Sequence, residues 1–157
     1  RLVLAATALP YRLKADDHPE GDADEALIAE FQDVVKRDRL TFLDEFLKTW
    51  FGADGQTSEA RRSYAFQIAA FASPKATLDC IASFSRTDFR ADLGRITVPT
   101  LVIHGDADVG VPLELTSRRV HAAVAGSELV VIEGAPHGLV LTLAEEFNRA
   151  LLEFLAR

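Results

Sequence analysis

The sequence holds no methionine, one cysteine and one tryptophan in 157 residues. A single Cys, Cys80, cannot close an internal disulfide, so no covalent framework staples the fold, and this usage fits a reducing, cytoplasmic setting. No apolar run approaches the roughly 20 residues that cross a bilayer as a helix, which speaks against a membrane partner. Basic residues are the minority, 17 against 24 acidic, for a formal net charge of −7. A chain this acidic lacks the basic face that phosphate binding needs, so nucleic acid is excluded as a partner. Without Met, the chain opens Arg1-Leu2-Val3-Leu4, and we expect it to be processed or to be part of something longer. The run from Leu2 to Leu9 carries too little charge before it for a secretory signal and stops at Pro10, so it reads as a buried strand.

What is present is ordinary for a globular domain: 48% apolar and 26% charged residues, enough to build a core. Three short apolar runs predict strands over Leu2–Thr7, Thr100–His104 and Glu128–Ile132. Leu101-Val102-Ile103 and Leu129-Val130-Val131-Ile132 are continuous rather than alternating. That pattern predicts strands buried on both faces, as in a parallel sheet between helices. Leu113–Val124 has the length of a crossover helix. Leu143, Phe147, Ala150, Leu151, Phe154 and Leu155 form the apolar stripe of a closing amphipathic helix.

The stretch from 23 to 85 has no strand-like run and predicts consecutive helices. Leu27, Ile28, Phe31, Val34 and Val35 fall at helical spacing, followed by Leu40, Phe42, Leu43, Phe46, Leu47, Trp50 and Phe51. Gly52-Ala53-Asp54-Gly55 breaks the pattern, and Thr57 or Ser58 caps a helix that carries Tyr64, Ile68 and Phe71. Ser73-Pro74 opens another, with Leu78, Ile81 and Phe84 inward. The polar Lys14–Glu25 segment reads as a surface connection. The predicted class is α/β: a sheet strand in 1–10, an inserted helical cap in 11–86, and a core in 87–157 with two further parallel strands flanked by helices.

Two loops carry the chemistry. His104-Gly-Asp106-Ala-Asp108-Val-Gly-Val-Pro112 follows the second strand, and Gly134-Ala-Pro-His137-Gly138 follows the third. Sites in open parallel sheets gather at the carboxyl ends of the strands, so an Asp of one loop and the His of the next can meet. An Asp that accepts from a His ring N–H fixes the tautomer and stabilises the imidazolium formed on proton uptake. The order Asp then His is that of the α/β-hydrolase arrangement.

The run Thr87-Asp-Phe-Arg-Ala-Asp-Leu93, then Ile96-Thr-Val-Pro-Thr-Leu-Val-Ile-His-Gly-Asp-Ala-Asp108, Pro112 and Gly134-Ala-Pro-His-Gly138 resembles the C-terminal part of α/β-hydrolases. The nearest group is the cofactor-free haloperoxidases and aryl esterases (metal-free chloroperoxidases, perhydrolases). The resemblance spans essentially the whole chain, with the helical block matching the family's cap. It implies that Asp108 orients His137 and that His137 is the general base of a Ser–His–Asp esterase acting on a small ester or carboxylic acid. It implies no metal and no organic cofactor. In the family the nucleophile sits in a Gly-x-Ser-x-Gly elbow, and none of Ser58, Ser63, Ser73, Ser83, Ser85, Ser117 or Ser127 lies in one. We therefore expect a hydrolase fragment that lacks the nucleophile and is inactive by itself. The edge of its first strand should then meet the missing N-terminal half or a second copy.

Other readings compete at several residues. Asp106 rather than Asp108 could partner His137, although Asp106 is better placed to cap its loop. His104-x-Asp106-x-Asp108 could hold a metal, but no other His or Cys cluster supplies the remaining ligands. His104 reads as a structural residue under the Asp loop. His18 and His121 read as surface residues without partners, and Cys80 as a core residue. Phe42, Phe46, Trp50 and Phe71 are candidates to line an acyl pocket. From another class comes the reading of a catalytically inactive structural or assembly segment.

Overall fold

A computed structural model describes residues 1–52 and 56–157; of the predicted break at Gly52–Gly55, residues 53–55 lie outside them. Three strands, β1 (Leu2–Ala5), β2 (Thr100–Gly105) and β3 (Glu128–Ile132), form a parallel sheet in the order β1-β2-β3. The expectation of burial on both faces holds for β2, which is buried throughout. It fails for β3, which is mostly half-buried, as is β1. Each has only β2 as a neighbour among the described residues, so half of its flank lacks cover.

Because side chains alternate along a strand, β2 feeds two cores. Leu101 and Ile103 pack with Ile132, Ala135, Leu139 and Phe154 on one face. Val102 packs with Leu93, Val120 and Val124 on the other. The first face is covered by α6 (Leu139–Thr142) and α7 (Ala144–Leu155), the second by α4 (Arg90–Leu93) and α5 (Ser117–Ala123). The predicted crossover helix is shorter than Leu113–Val124: a 3-10 turn at Leu113–Leu115 precedes α5.

The segment between β1 and β2 is helical: α1 (Glu25–Phe51), α2 (Glu59–Phe71) and α3 (Pro74–Arg86). Ser58 and Ser73 cap α2 and α3, accepting from Arg61 N and Ala76 N, and Pro74 occupies the first turn of α3. The two apolar runs predicted within α1 are one element with a kink, since Asp38 leaves helical geometry at φ −152° and ψ 82°. Its carboxylate accepts from Thr41 N and Thr41 Oγ1 and so restarts the helix as an N-cap. Ala23, Ile28, Val35 and Ile81 form a third buried cluster, between α1 and α3 and separate from those on the sheet.

Two sequence expectations are corrected here, that His18 lies at the surface and that Cys80 lies in the core. The Lys14–Glu25 segment is mostly exposed, as a surface connection is, but His18 within it is buried, stacked on Tyr11 with Nε2 3.0 Å from the Tyr11 carbonyl, and Leu13 bridges to Ala23. Cys80 is exposed, because α3 turns Ile81 inward and leaves its neighbour outside. Tyr64, Ile68 and Phe71 lie on the outer side of α2, with Phe71 93% exposed.

Candidate active site

The two chemistry-bearing loops leave the carboxyl ends of β2 and β3 side by side and are stitched together. Asp106 N donates to the Ile132 carbonyl at 3.3 Å, Ala107 N to the Ala135 carbonyl at 3.1 Å, and Gly134 N to Asp106 Oδ1 at 2.6 Å. Asp106 thus ties the His loop to its own and does not reach His137. Gly105 permits this approach: a Cβ there would lie 2.0 Å from the Ala135 carbonyl oxygen.

Asp108 folds its own loop and faces a second one. Its Oδ1 accepts from Gly110 N at 3.0 Å and Val111 N at 2.8 Å, a local turn that Asp side chains form readily. Its Oδ2 accepts from His137 Nδ1 at 2.7 Å. The same oxygen lies 3.1 Å from His104 Nε2. His104 alternates with Ile103 and so points to the α5 side of the sheet, where Ser117 Oγ lies 2.6 Å from Nδ1. With Nε2 also 2.8 Å from the Val111 carbonyl, two acceptors face this nitrogen, so Nε2 carries a hydrogen and donates. His104 is fully buried, which agrees with its reading as a residue beneath the Asp loop. Burial of Asp108 would raise its pKa, but the hydrogen bonds from His104, His137 and Val111 outweigh it and hold the carboxyl well below the usual range.

His137 is presented from above by α1. The Trp50 carbonyl, in the last turn of α1, accepts from Gly138 N at 2.7 Å. The Trp50 ring stands edge-on to the imidazole at 6.0 Å. Gly138 has room for no side chain, as a Cβ would fall 2.6 Å from the Trp50 ring. With Nδ1 bound to Asp108, Nε2 is the nitrogen left for chemistry. His137 is 24% exposed and borders a cavity of about 280 Å³. Of the four candidate pocket residues, Phe46 and Trp50 line this cavity, together with Phe84 and Arg12. Phe42 instead stacks behind Phe46, and Phe71 points to solvent. Sequence reasoning missed Arg12, because nothing local ties a residue beyond β1 to a loop beyond β2.

Two other His–Ser contacts differ from this one. Ser117 is buried against His104, and Ser127 Oγ lies 2.9 Å from His121 Nδ1 on the surface, so His121 is exposed but has a partner. No serine touches His137 among the described residues.

No protein-family model matches the chain. The crystal structure of a bromoperoxidase from Bacillus anthracis superposes with a TM-score of 0.94 at 51% identity, over 99% of this chain and 57% of that one. A Synechocystis sp. protein that bears the name of a non-heme chloroperoxidase is 42% identical over 99% of this chain and 57% of its own length. A bifunctional esterase/perhydrolase of Acinetobacter calcoaceticus is 29% identical over the same shares. The chain therefore spans a little over half the length of these relatives. It is a homologue of the non-heme chloroperoxidases, esterases and perhydrolases of the α/β-hydrolase superfamily and has the fold of their C-terminal part.

Proposed function

We propose that the chain supplies the Asp–His half of a Ser–His–Asp ester hydrolase, with the nucleophile and oxyanion donors contributed from outside these 157 residues. The observation that carries this reading is His137, locked through Nδ1 at 2.7 Å to buried Asp108 with Nε2 left beside a cavity. Nε2 takes the proton of a serine hydroxyl as its oxygen attacks an ester carbonyl, and Asp108 stabilises the imidazolium. His137 returns that proton to the departing alkoxide, leaving an acyl-serine. It then deprotonates the water that releases the acid. Hydrogen peroxide in place of water would release a peracid, in keeping with the names of the relatives. A peracid passes oxygen to halide, giving hypohalite and the carboxylic acid. Phe46, Thr49 and Trp50 of α1 and Phe84 of α3 roof the cavity, and we read the helical block 11–86 as a lid that admits small esters.

The external nucleophile is favoured because Ser58 and Ser73 are helix caps, Ser85 and Ser117 are buried, and Ser127 is bound to His121. The test is p-nitrophenyl acetate hydrolysis. The 157-residue chain should show no turnover above buffer. The coding sequence upstream should encode a Gly-x-Ser-x-Gly element, and the longer product should be an esterase that His137→Ala silences. Turnover by the chain alone, abolished by His137→Ala, would falsify the external nucleophile. Absence of the upstream element would favour a catalytically inactive module.

A further inference from the structure

Among the described residues that line the cavity beside His137, Arg12 alone carries a permanent charge. Its guanidinium is fixed on three sides. Nε lies 3.0 Å from both Asp22 carboxylate oxygens, and Nη2 donates to Asp22 Oδ2 at 2.6 Å. Nη2 also reaches the Gly110 carbonyl, in the Asp108 loop, at 3.4 Å. The Phe84 ring lies under the guanidinium carbon at 5.3 Å. A guanidinium has five N–H donors in a rigid fork. These contacts occupy the Nε and Nη2 edge, so the two N–H groups of Nη1 are left without a partner among the described residues. The side chain is only 12% exposed. A guanidinium held this rigidly at the wall of a largely apolar cavity loses little entropy on meeting an acceptor and gains much, since charge-assisted bonds are about twice as strong as neutral ones.

We propose that Nη1 of Arg12 receives a carboxylate at the far end of the substrate, so that the preferred substrates are half-esters of short dicarboxylic acids. The ester carbonyl would lie at His137 and the ionised carboxyl at Arg12. Asp22 grips the opposite edge of the guanidinium, which lets an anion approach Nη1 from the side away from the Asp22 charge. The cavity, at about 280 Å³, sits at the small end of ligand pockets and keeps the chain short. This assignment rests on the ester-hydrolase reading for its kinetics, but not for its binding.

Binding is measurable because the one tryptophan of the sequence, Trp50, lines the same cavity. Trp50 fluorescence should respond saturably to monomethyl glutarate, with a dissociation constant about tenfold below that of its neutral isostere, methyl 4-carbamoylbutanoate. Arg12→Gln should bring the two within about twofold while leaving circular dichroism unchanged. Asp22→Asn, which keeps the guanidinium and removes its counter-charge, should preserve or widen the preference; it guards against an Arg12 variant that fails to fold. Equal affinity for both ligands in the unmodified protein overturns the proposal, as does a preference that survives Arg12→Gln or disappears in a folded Asp22→Asn. In the longer product, a matching preference in kcat/KM extends it to turnover. Failure to hydrolyse any ester, with the binding preference intact, would count against the hydrolase reading and not against Arg12.

Discussion

Asp108 divides its two oxygens between two tasks. One closes its own loop on Gly110 N and Val111 N, and the other is shared by His137 Nδ1 and His104 Nε2. Removing its charge should therefore affect catalysis and stability through separate routes. In the longer, active product, Asp108→Asn should lower kcat by about 10⁴-fold, as expected when the base loses the partner that sets its tautomer. For stability the sign follows from the depressed folded-state pKa. The unfolded chain titrates near the ordinary value of about 3.9, so ionised Asp108 favours the folded state fully above that pH. The contribution is lost as pH falls below about 4 toward the folded pKa. The Tm gap between the unmodified protein and Asp108→Asn should be constant from pH 5 to 8 and shrink between about pH 4 and pH 2 in thermal melts followed by circular dichroism. A gap that stays constant into acid would show that the ionised carboxyl contributes nothing through this route.

At the scale of elements, the informative contact is the end of α1 against the loop after β3. A carbonyl from the last turn of the helix meets a loop N–H, and an indole packs where only glycine leaves space. Gly138→Ala must displace either Trp50 or the His137 loop. Overpacking of this kind costs about 1–3 kcal/mol, measurable by urea denaturation, and the emission maximum of Trp50 should move as the ring is pushed toward solvent. An unchanged spectrum with unchanged stability would show that the loop absorbs a methyl group freely.

Much at this scale was legible in the sequence. Leu101-Val102-Ile103 is a continuous apolar run, and such runs become central strands. Ser73-Pro74 is a helix start in any context. The errors share a cause. Cys80 and the Tyr64, Ile68 and Phe71 stripe have the spacing of core positions, but which side of a helix is covered depends on its neighbours, not on its period. The kink at Asp38 was illegible for a similar reason, since an acidic residue in a helical pattern looks like any exposed position until its carboxylate is seen to cap Thr41.

For the molecule as a whole, the sheet ends on β1, whose only strand partner among the described residues is β2. An apolar strand with one unpaired edge is a template for further pairing. The 157-residue chain should therefore associate with increasing concentration in sedimentation velocity, and joining it to the upstream segment that the proposed function calls for should yield a discrete species. A chain that stays monomeric at high micromolar concentration would mean that the edge is protected some other way.

The sequence by itself determined the order of strands and helices and put an Asp-bearing loop and a His-bearing loop at neighbouring strand ends, because hydrophobic period and turn chemistry act locally. Which carboxylate meets His137 was decided by tertiary structure: Asp106 is drawn to Gly134 N, and Asp108 turns back over Gly110 and Val111 to reach the imidazole. Tertiary structure alone also brought Arg12 to the cavity beside His137, 98 residues from the Gly110 carbonyl it touches. A contact across that separation depends on how β1, the helices between β1 and β2, and the Asp loop pack together, and no local pattern encodes it.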